Sequence, residues 1–420
     1  MEKTSSLRQS PLALIAGVVV VVVLLTLWGG WALPFVLFAV VAMVMGHEFG
    51  HFITAKRAGL LVTDFFVGFG PVIWSTTRGE TRYGVRAFLL GGYVKVPGMT
   101  WNDTIAPELE KRTYREASYP KKVLFASAGS LMHVLMALTL AWASLAIIGT
   151  PSARRIDIAQ FSKWDGHRET VAQRAGLKVG DQIVAVEGEK LTSEQELSYD
   201  LHHNIGRSLT LLVNRNGQQL KVHVTPVNGQ NIDVNGQPLV KQSKPPEGYI
   251  GIEIGEGSIR SSIFGAVPSA FNEVGSIVAS AGSALVHVFS PHEFLSLFHQ
   301  VASTAAANNK VNQEQRPESI VGIVRIAVQG AQNGWATLLA ILVAVNIFVG
   351  VLNMLPILPL DGGYVAIATY ERLRSRKGSK YRSDVNKLAP VIYAFMSVLL
   401  VLFACTLFLD IAHPIANPFQ

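Results

Sequence analysis

The chain has 420 residues, of which 49% are apolar and only 15% are charged, well below the roughly 25% charged residues usual in soluble proteins. An ordinary soluble domain is excluded by how that deficit falls: Leu12–Met45, Val123–Ile148, Trp335–Leu360 and Leu388–Leu409 are almost free of charge, and each matches or exceeds the roughly 20 apolar residues that cross a bilayer as a helix. The net charge of +7 does not point to nucleic acid, because Lys and Arg crowd into two loops, 56–122 and 371–387, beside the apolar runs, where they report membrane orientation.

The first apolar run is too long for one span. Gly29-Gly30 and Pro34 divide it into a helix at about Leu12–Trp28 and a second from Trp31. Lys3 and Arg8 precede it as they would a signal peptide, but no small-x-small cleavage site follows, so residues 1–30 read as an extra uncleaved span. Residues 31–149 then hold two spans around the first basic loop. Residues 150–334 form a soluble insert, and 335–420 hold two more spans around the second basic loop. The positive-inside rule places both basic loops in the cytoplasm and the charge-balanced insert outside, with the N-terminus inside. The one cysteine, Cys405, falls in the last span, so no intrachain disulfide forms.

Within the first basic loop, Arg82–Val96 reads as a β-hairpin-like segment near Gly91-Gly92-Tyr93. Within the insert, Ala175–Asp181 makes a turn and Gln182–Val186 alternates as a strand. Ser193 and Glu196 have capping-box spacing for a helix. Ser208–Asn214 and Gln218–Thr225 alternate around Asn216-Gly217, a strong hairpin signal. The stretch A-x-x-A-G-L-K-x-G-D-x-I with this helix and hairpin resembles a bacterial PDZ domain over about 165–227. Such domains bind extended peptides at a sheet edge; the plainer reading is a spacer. Residues 228–248 read as loops, and 262–330 are weakly amphipathic with no element assigned.

Chemistry concentrates at Gly46-His47-Glu48-Phe49-Gly50-His51, an H-E-x-x-H motif at the inner end of the second apolar run. On a helix the two histidines share one face and can both address a zinc ion, with Glu48 as general base toward the water that the metal acidifies. The motif is short, but ionisable groups at membrane depth are costly and mark function. A zinc site needs a third protein ligand. The third run ends Asn353-Met354-Leu355-Pro356-Ile357-Leu358-Pro359-Leu360-Asp361-Gly362-Gly363. Asp361, alone after a charge-free stretch, would carry a large desolvation cost unless a cation meets it.

H-E-F-G-H in one span, N-x-x-P-x-x-P-L-D-G-G in a later one, and a PDZ-like insert between them resemble the site-2 protease family, in its bacterial single-PDZ branch of actinobacterial type. Phe66–Pro71, Arg78–Thr81, Leu90–Tyr93 and Tyr370–Leu373 add to the likeness. The resemblance implies a polytopic α-helical membrane protein, its protease core split into 31–149 and 335–420, with an extracytoplasmic α/β PDZ insert and a short re-entrant β segment. It implies a Zn2+-dependent endopeptidase of the bacterial cytoplasmic membrane, with His47, His51 and Asp361 as metal ligands and Glu48 as catalytic base. Asn353, with Gly91, Gly92 and Tyr93 of the β segment, would hold substrate. The implied partners are single-span membrane proteins already shortened outside, of the anti-sigma-factor or signal-peptide-remnant type, with a chain terminus at the PDZ domain. Two departures stand out: His133 where the family often has Asn, and Tyr364 where a His commonly follows D-G-G. The competing readings are a non-proteolytic PDZ scaffold and a zinc transporter, although a transporter ordinarily spreads polar groups along a path.

Overall fold

The computed structural model describes residues 11–419 apart from 100–102, 104, 163–168, 235–236, 242–244, 310–312, 314–315, 377–380 and 416. Lys3, Arg8, Lys377 and Lys380, used above for orientation, lie outside the described residues. Two compact units emerge: Met1–Ser144 with Val267–Gln420, and Leu145–Ala266.

In the first unit, α1 (Pro11–Gly29) and α2 (Ala32–Arg57) are separated at Gly30, whose φ of 72° suits only glycine without strain. The run Val18–Val23 in α1 is exposed throughout, as expected of a helix whose surroundings are lipid. After the first basic loop come α3 (Tyr119–Ala143), prolonged by a π-turn over Ser144–Ile148, then α5 (Ala266–Val288) and α6 (Pro291–Ala302). Next are α7 (Ile320–Gln332), α8 (Trp335–Asn353), α9 (Asp361–Arg374) and α10 (Ala389–Ala412). Among the described residues, four helical stretches are long and apolar enough to cross a membrane: Ala32–Arg57, Tyr119–Ile148, Trp335–Asn353 and Val385–Ala412. The pair α5 and α6, bent by 67°, would make a fifth.

Three of these helices, α2, α3 and α8, form the packed centre. They come close because the contacts are glycines: a Cβ on Gly50 of α2 would meet the Ala128 carbonyl of α3, and one on Gly350 of α8 would meet His133 of α3. Trp31 and Phe35 at the start of α2 stack on Trp335 at the start of α8, with ring centroids 4.8 and 5.3 Å away; interfacial aromatics favour such positions. At the far end of α10, Asp410 is fully buried. It accepts from Arg316 Nη2 at 3.0 Å and from the Ser319 backbone N–H at 2.7 Å, which ties α10 to the start of α7.

The first basic loop is mostly sheet. Strands β1 (Asp64–Arg78) and β2 (Thr81–Lys95) pair antiparallel, but the pairing folds back on itself. Val72–Arg78 pairs with Thr81–Arg86, while Asp64–Val67 pairs on one side with Gly92–Lys95 and on the other with Arg82–Val85. Gly68 and Gly70, with φ of 85° and 83°, make the bend. The hairpin expected within Arg82–Val96 is therefore corrected: its two arms do not pair with each other, because Asp64–Val67 lies between them. Glu80 in the β1–β2 turn is clamped by Arg112 (2.7 and 2.8 Å) and Lys56 (2.9 Å), which pull its carboxyl down to about 2.

The second unit is a sheet of β3 (Thr150–Phe161), β4 (Gln182–Val186), β5 (Leu209–Arg215), β6 (Gln218–Val224) and β7 (Ile252–Ile259) in the order β7-β3-β4-β5-β6, all antiparallel. Helix α4 (Glu194–His203) buries Leu197 and Leu201 in its core. Ser193 caps α4 by accepting from the Glu196 N–H, while the Glu196 carboxylate turns back to Thr192. Asn216-Gly217 turns β5 into β6 with both φ positive, 52° and 87°, as a two-residue hairpin requires. The stretch 267–334, joined to the insert in the sequence reading, packs with the helical unit instead. Its helices α5, α6 and α7 are clearly amphipathic, which corrects the reading of this stretch as only weakly so.

Candidate active site

His47 and His51 lie one turn apart on the buried face of α2, 9% and 7% exposed. Asp361 is the first residue of α9, reached from the end of α8 through the Pro356–Pro359 turn. That turn is tight: Cβ atoms on Gly362 and Gly363 would strike the backbones of Met354 and Leu358, so small residues there bring the carboxylate in.

The three ligand atoms form a near-equilateral triangle. His47 Nε2 and His51 Nε2 are 3.2 Å apart, and Asp361 Oδ2 lies 3.4 and 3.3 Å from them. A tetrahedral zinc with bonds of about 2.1 Å requires ligand-to-ligand edges of about 3.4 Å. The electronic arrangement agrees. His51 Nδ1 lies 2.8 Å from the Phe125 carbonyl oxygen, which can only accept, so the proton is on Nδ1 and Nε2 offers a lone pair. Asp361 Oδ2 is buried without a hydrogen bond. Electron pairs converging at such distances in a buried place need a cation. Among the described residues these three are the group that could hold a metal ion, so the residues present fit zinc.

Glu48, on the same helix, is half-buried, and its carboxylate faces the Val94 backbone N–H of β2. Gly92 lies against Glu48 Cγ and Met45 Sδ, where a Cβ would crowd both and Phe66 O. The outer edge of Gly92–Lys95 thus runs beside Glu48, and among the described residues no further strand pairs with it. Gly91 adjoins the Phe69 ring. Tyr93 turns away from the metal group: its ring stacks on Phe66 at 5.6 Å and its hydroxyl accepts from Arg86 Nη2 at 2.7 Å. Asn353 ends α8, half-buried, with no hydrogen bond to the metal group. Tyr364, the departure after D-G-G, packs edge-on to Tyr114 in an apolar cluster.

Of the groups that shape this centre from α3 and α8, sequence reasoning marked His133 as a departure from the family pattern and missed Gly129 and Asn346. Gly129 of α3 faces both histidines, and a Cβ there would land on the His47 ring and on His51 Nε2. His133, one turn further, is 2% exposed, with its ring 5.1 Å from that of His47. Its Nδ1 is hydrogen-bonded to Oδ1 of Asn346 on α8, itself fully buried. One signal was available: Asn346 is the sole amide side chain between Trp335 and Leu352.

The model of peptidase family M50 matches residues 35–400. The zinc metalloprotease Rip1 of Mycobacterium tuberculosis is 30% identical over 398 residues, covering 90% of this chain and 96% of that protein. The protein of the same name from Mycolicibacterium smegmatis is 27% identical over 409 residues, with the same coverage.

Proposed function

Since the chain belongs to peptidase family M50, the site-2 protease family, and is a zinc-dependent metalloendopeptidase, we propose that it cleaves the membrane-spanning segments of single-span proteins within the bilayer. In this reading His47, His51 and Asp361 hold the metal and Glu48 is the base. The observation that carries it is the triangle of electron-pair donors with edges of 3.2–3.4 Å, drawn from α2 and α9. The apolar length of α2 and α8, which carry or lead into those donors, supports a centre at membrane depth.

Zinc bound at this triangle supplies Lewis-acid polarisation of water and of the scissile carbonyl. The chain's own groups do the rest. Phe125 O and Gly129 orient the two imidazoles. Glu48, beside the triad, takes the proton from the attacking water and returns it to the departing amine. A helical substrate hides its carbonyls in its own hydrogen bonds, and lipid offers no replacement partners when it unwinds. The unpaired edge of Gly92–Lys95 provides them by strand addition, with Asn353 as a further candidate contact. The carboxylate of Glu48 then lies at the side of the added strand.

The resemblance to a PDZ domain over about 165–227 falls within the β3–β7 unit, and the balance of charge around it suits an extracytoplasmic position, where it would admit or select proteins already shortened outside. Anti-sigma factors and signal-peptide remnants have that chemistry, a single apolar span with a freshly cut end. Residues 1–30 add a further span. A purified preparation incubated with a single-span model protein is expected to cleave it within the span. Glu48→Gln should abolish cleavage while leaving zinc bound, and a chelator should abolish it reversibly. Cleavage that survives both treatments sinks the reading; a folded, zinc-loaded wild type that never cleaves favours the scaffold instead.

A further inference from the structure

The centre contains a third imidazole, outside the metal triangle. His133 is on α3, buried to 2% exposure, and its ring lies 5.1 Å from that of His47. Its one hydrogen bond is from Nδ1 to Asn346 Oδ1. An amide oxygen can only accept, so the proton is on Nδ1, and Nε2 of the neutral ring is left as an acceptor with no partner among the described residues. His133 nevertheless stays out of the ligand group, which comprises His47, His51 and Asp361. The placement is built on both sides. Gly350 lets α8 close on the His133 Cβ, where a larger residue would collide, and Asn346, fully buried one helical turn earlier, fixes the ring. Two further buried groups, Gly350 and Asn346, are committed to holding this ring where it is.

We propose that His133, held by Asn346, is a substrate-positioning residue whose Nε2 accepts a hydrogen bond from the backbone N–H of the scissile peptide. The inference rests on the intramembrane protease reading and deepens it. An unwound transmembrane segment arrives with amide N–H groups that have lost their helical acceptors, and in hydrocarbon each must find another. The strand edge at Gly92–Lys95 can serve the flanking amides. The scissile amide sits over the metal triangle, beyond that edge, and His133 is the acceptor adjoining it. Holding that N–H fixes the plane of the peptide and hence the face that its carbonyl carbon offers for attack.

The test uses the full-length protein with zinc and two model transmembrane peptides. They are identical except that the second has an ester oxygen in place of the scissile N–H. His133→Ala is expected to lower kcat/KM on the amide about 10- to 100-fold, yet to leave the ester within about threefold of wild type. Zinc per chain should be unchanged. In the Glu48→Gln background the same substitution should weaken binding of the amide peptide and spare the ester. His133→Asn, whose side-chain oxygen can accept, should recover part of the loss. Equal losses on amide and ester, loss of zinc from His133→Ala, or undiminished amide cleavage each overturn the proposal. Cleavage of both peptides by Glu48→Gln brings down the protease reading of Glu48 instead, and this inference with it.

Discussion

Gly129 shows how much of a metal site can depend on a residue that contributes no ligand. It lies where α3 crosses the paired histidines, and the hydrogen in place of a side chain is what leaves the His47 ring and His51 Nε2 their positions. Gly129→Ala should therefore disturb zinc without touching a ligand. The expected outcome is a loss of zinc affinity of about 10- to 100-fold, the range typical when groups that orient ligands are changed. Chelator competition measures it, and retention of wild-type affinity would mean that α2 and α3 can part at no cost. The ligands themselves were legible in the sequence, because H-E-x-x-H encodes its geometry through helix periodicity and Asp361 stands out as an unmatched charge. Gly129, the Phe125 carbonyl and Asn346 were not, and His133 was marked only as a departure from the family pattern. Each acts through a contact between helices, and no local pattern records which face of α3 meets α2 or α8.

The strands of the first basic loop make the same point for elements. Alternation around Gly91-Gly92 showed that Arg82–Val96 is extended, yet left its partner open; the register that interposes Asp64–Val67 is set by the bend at Gly68 and Gly70. By contrast, the β5–β6 hairpin and the cap of α4 were legible almost to the residue, because Asn216-Gly217 and Ser193 determine their structures locally. The consequence of the interposed strand is functional. It leaves Gly92–Lys95 at an edge, with the Val94 N–H directed toward Glu48. Val94→Pro removes that donor from the outward side. It is expected to slow cleavage of a transmembrane peptide at least about 10-fold, because strand addition to the edge supplies donors for the carbonyls that unwinding exposes. Peptide binding to the Glu48→Gln protein should weaken in parallel. Unchanged turnover would remove the edge from the mechanism.

At the scale of the molecule, composition revealed the apolar helices at once, since absence of charge over a bilayer thickness needs no tertiary knowledge. It did not reveal where the insert ends: α5, α6 and α7 are amphipathic, as helices on a soluble domain also are, and only packing assigns them to the helical unit. Orientation follows from charge alone and can be tested alone. The loops holding Arg112 and Arg376 are basic while the β3–β7 unit is balanced, so the positive-inside rule predicts the former in the cytoplasm and the latter across the membrane. Cys405 is the single cysteine and lies within α10, so a Cys405→Ala background gives a clean label map. In intact cells an impermeant maleimide should modify Asn216→Cys at the β5–β6 turn and spare Arg376→Cys until the membrane is opened. Equal labelling of both in intact cells would mean that the two regions share a side. The peptide-sensing role of the β3–β7 unit would then have to be sought on the same face as the basic loops, where a substrate shortened on the outside has no end to present.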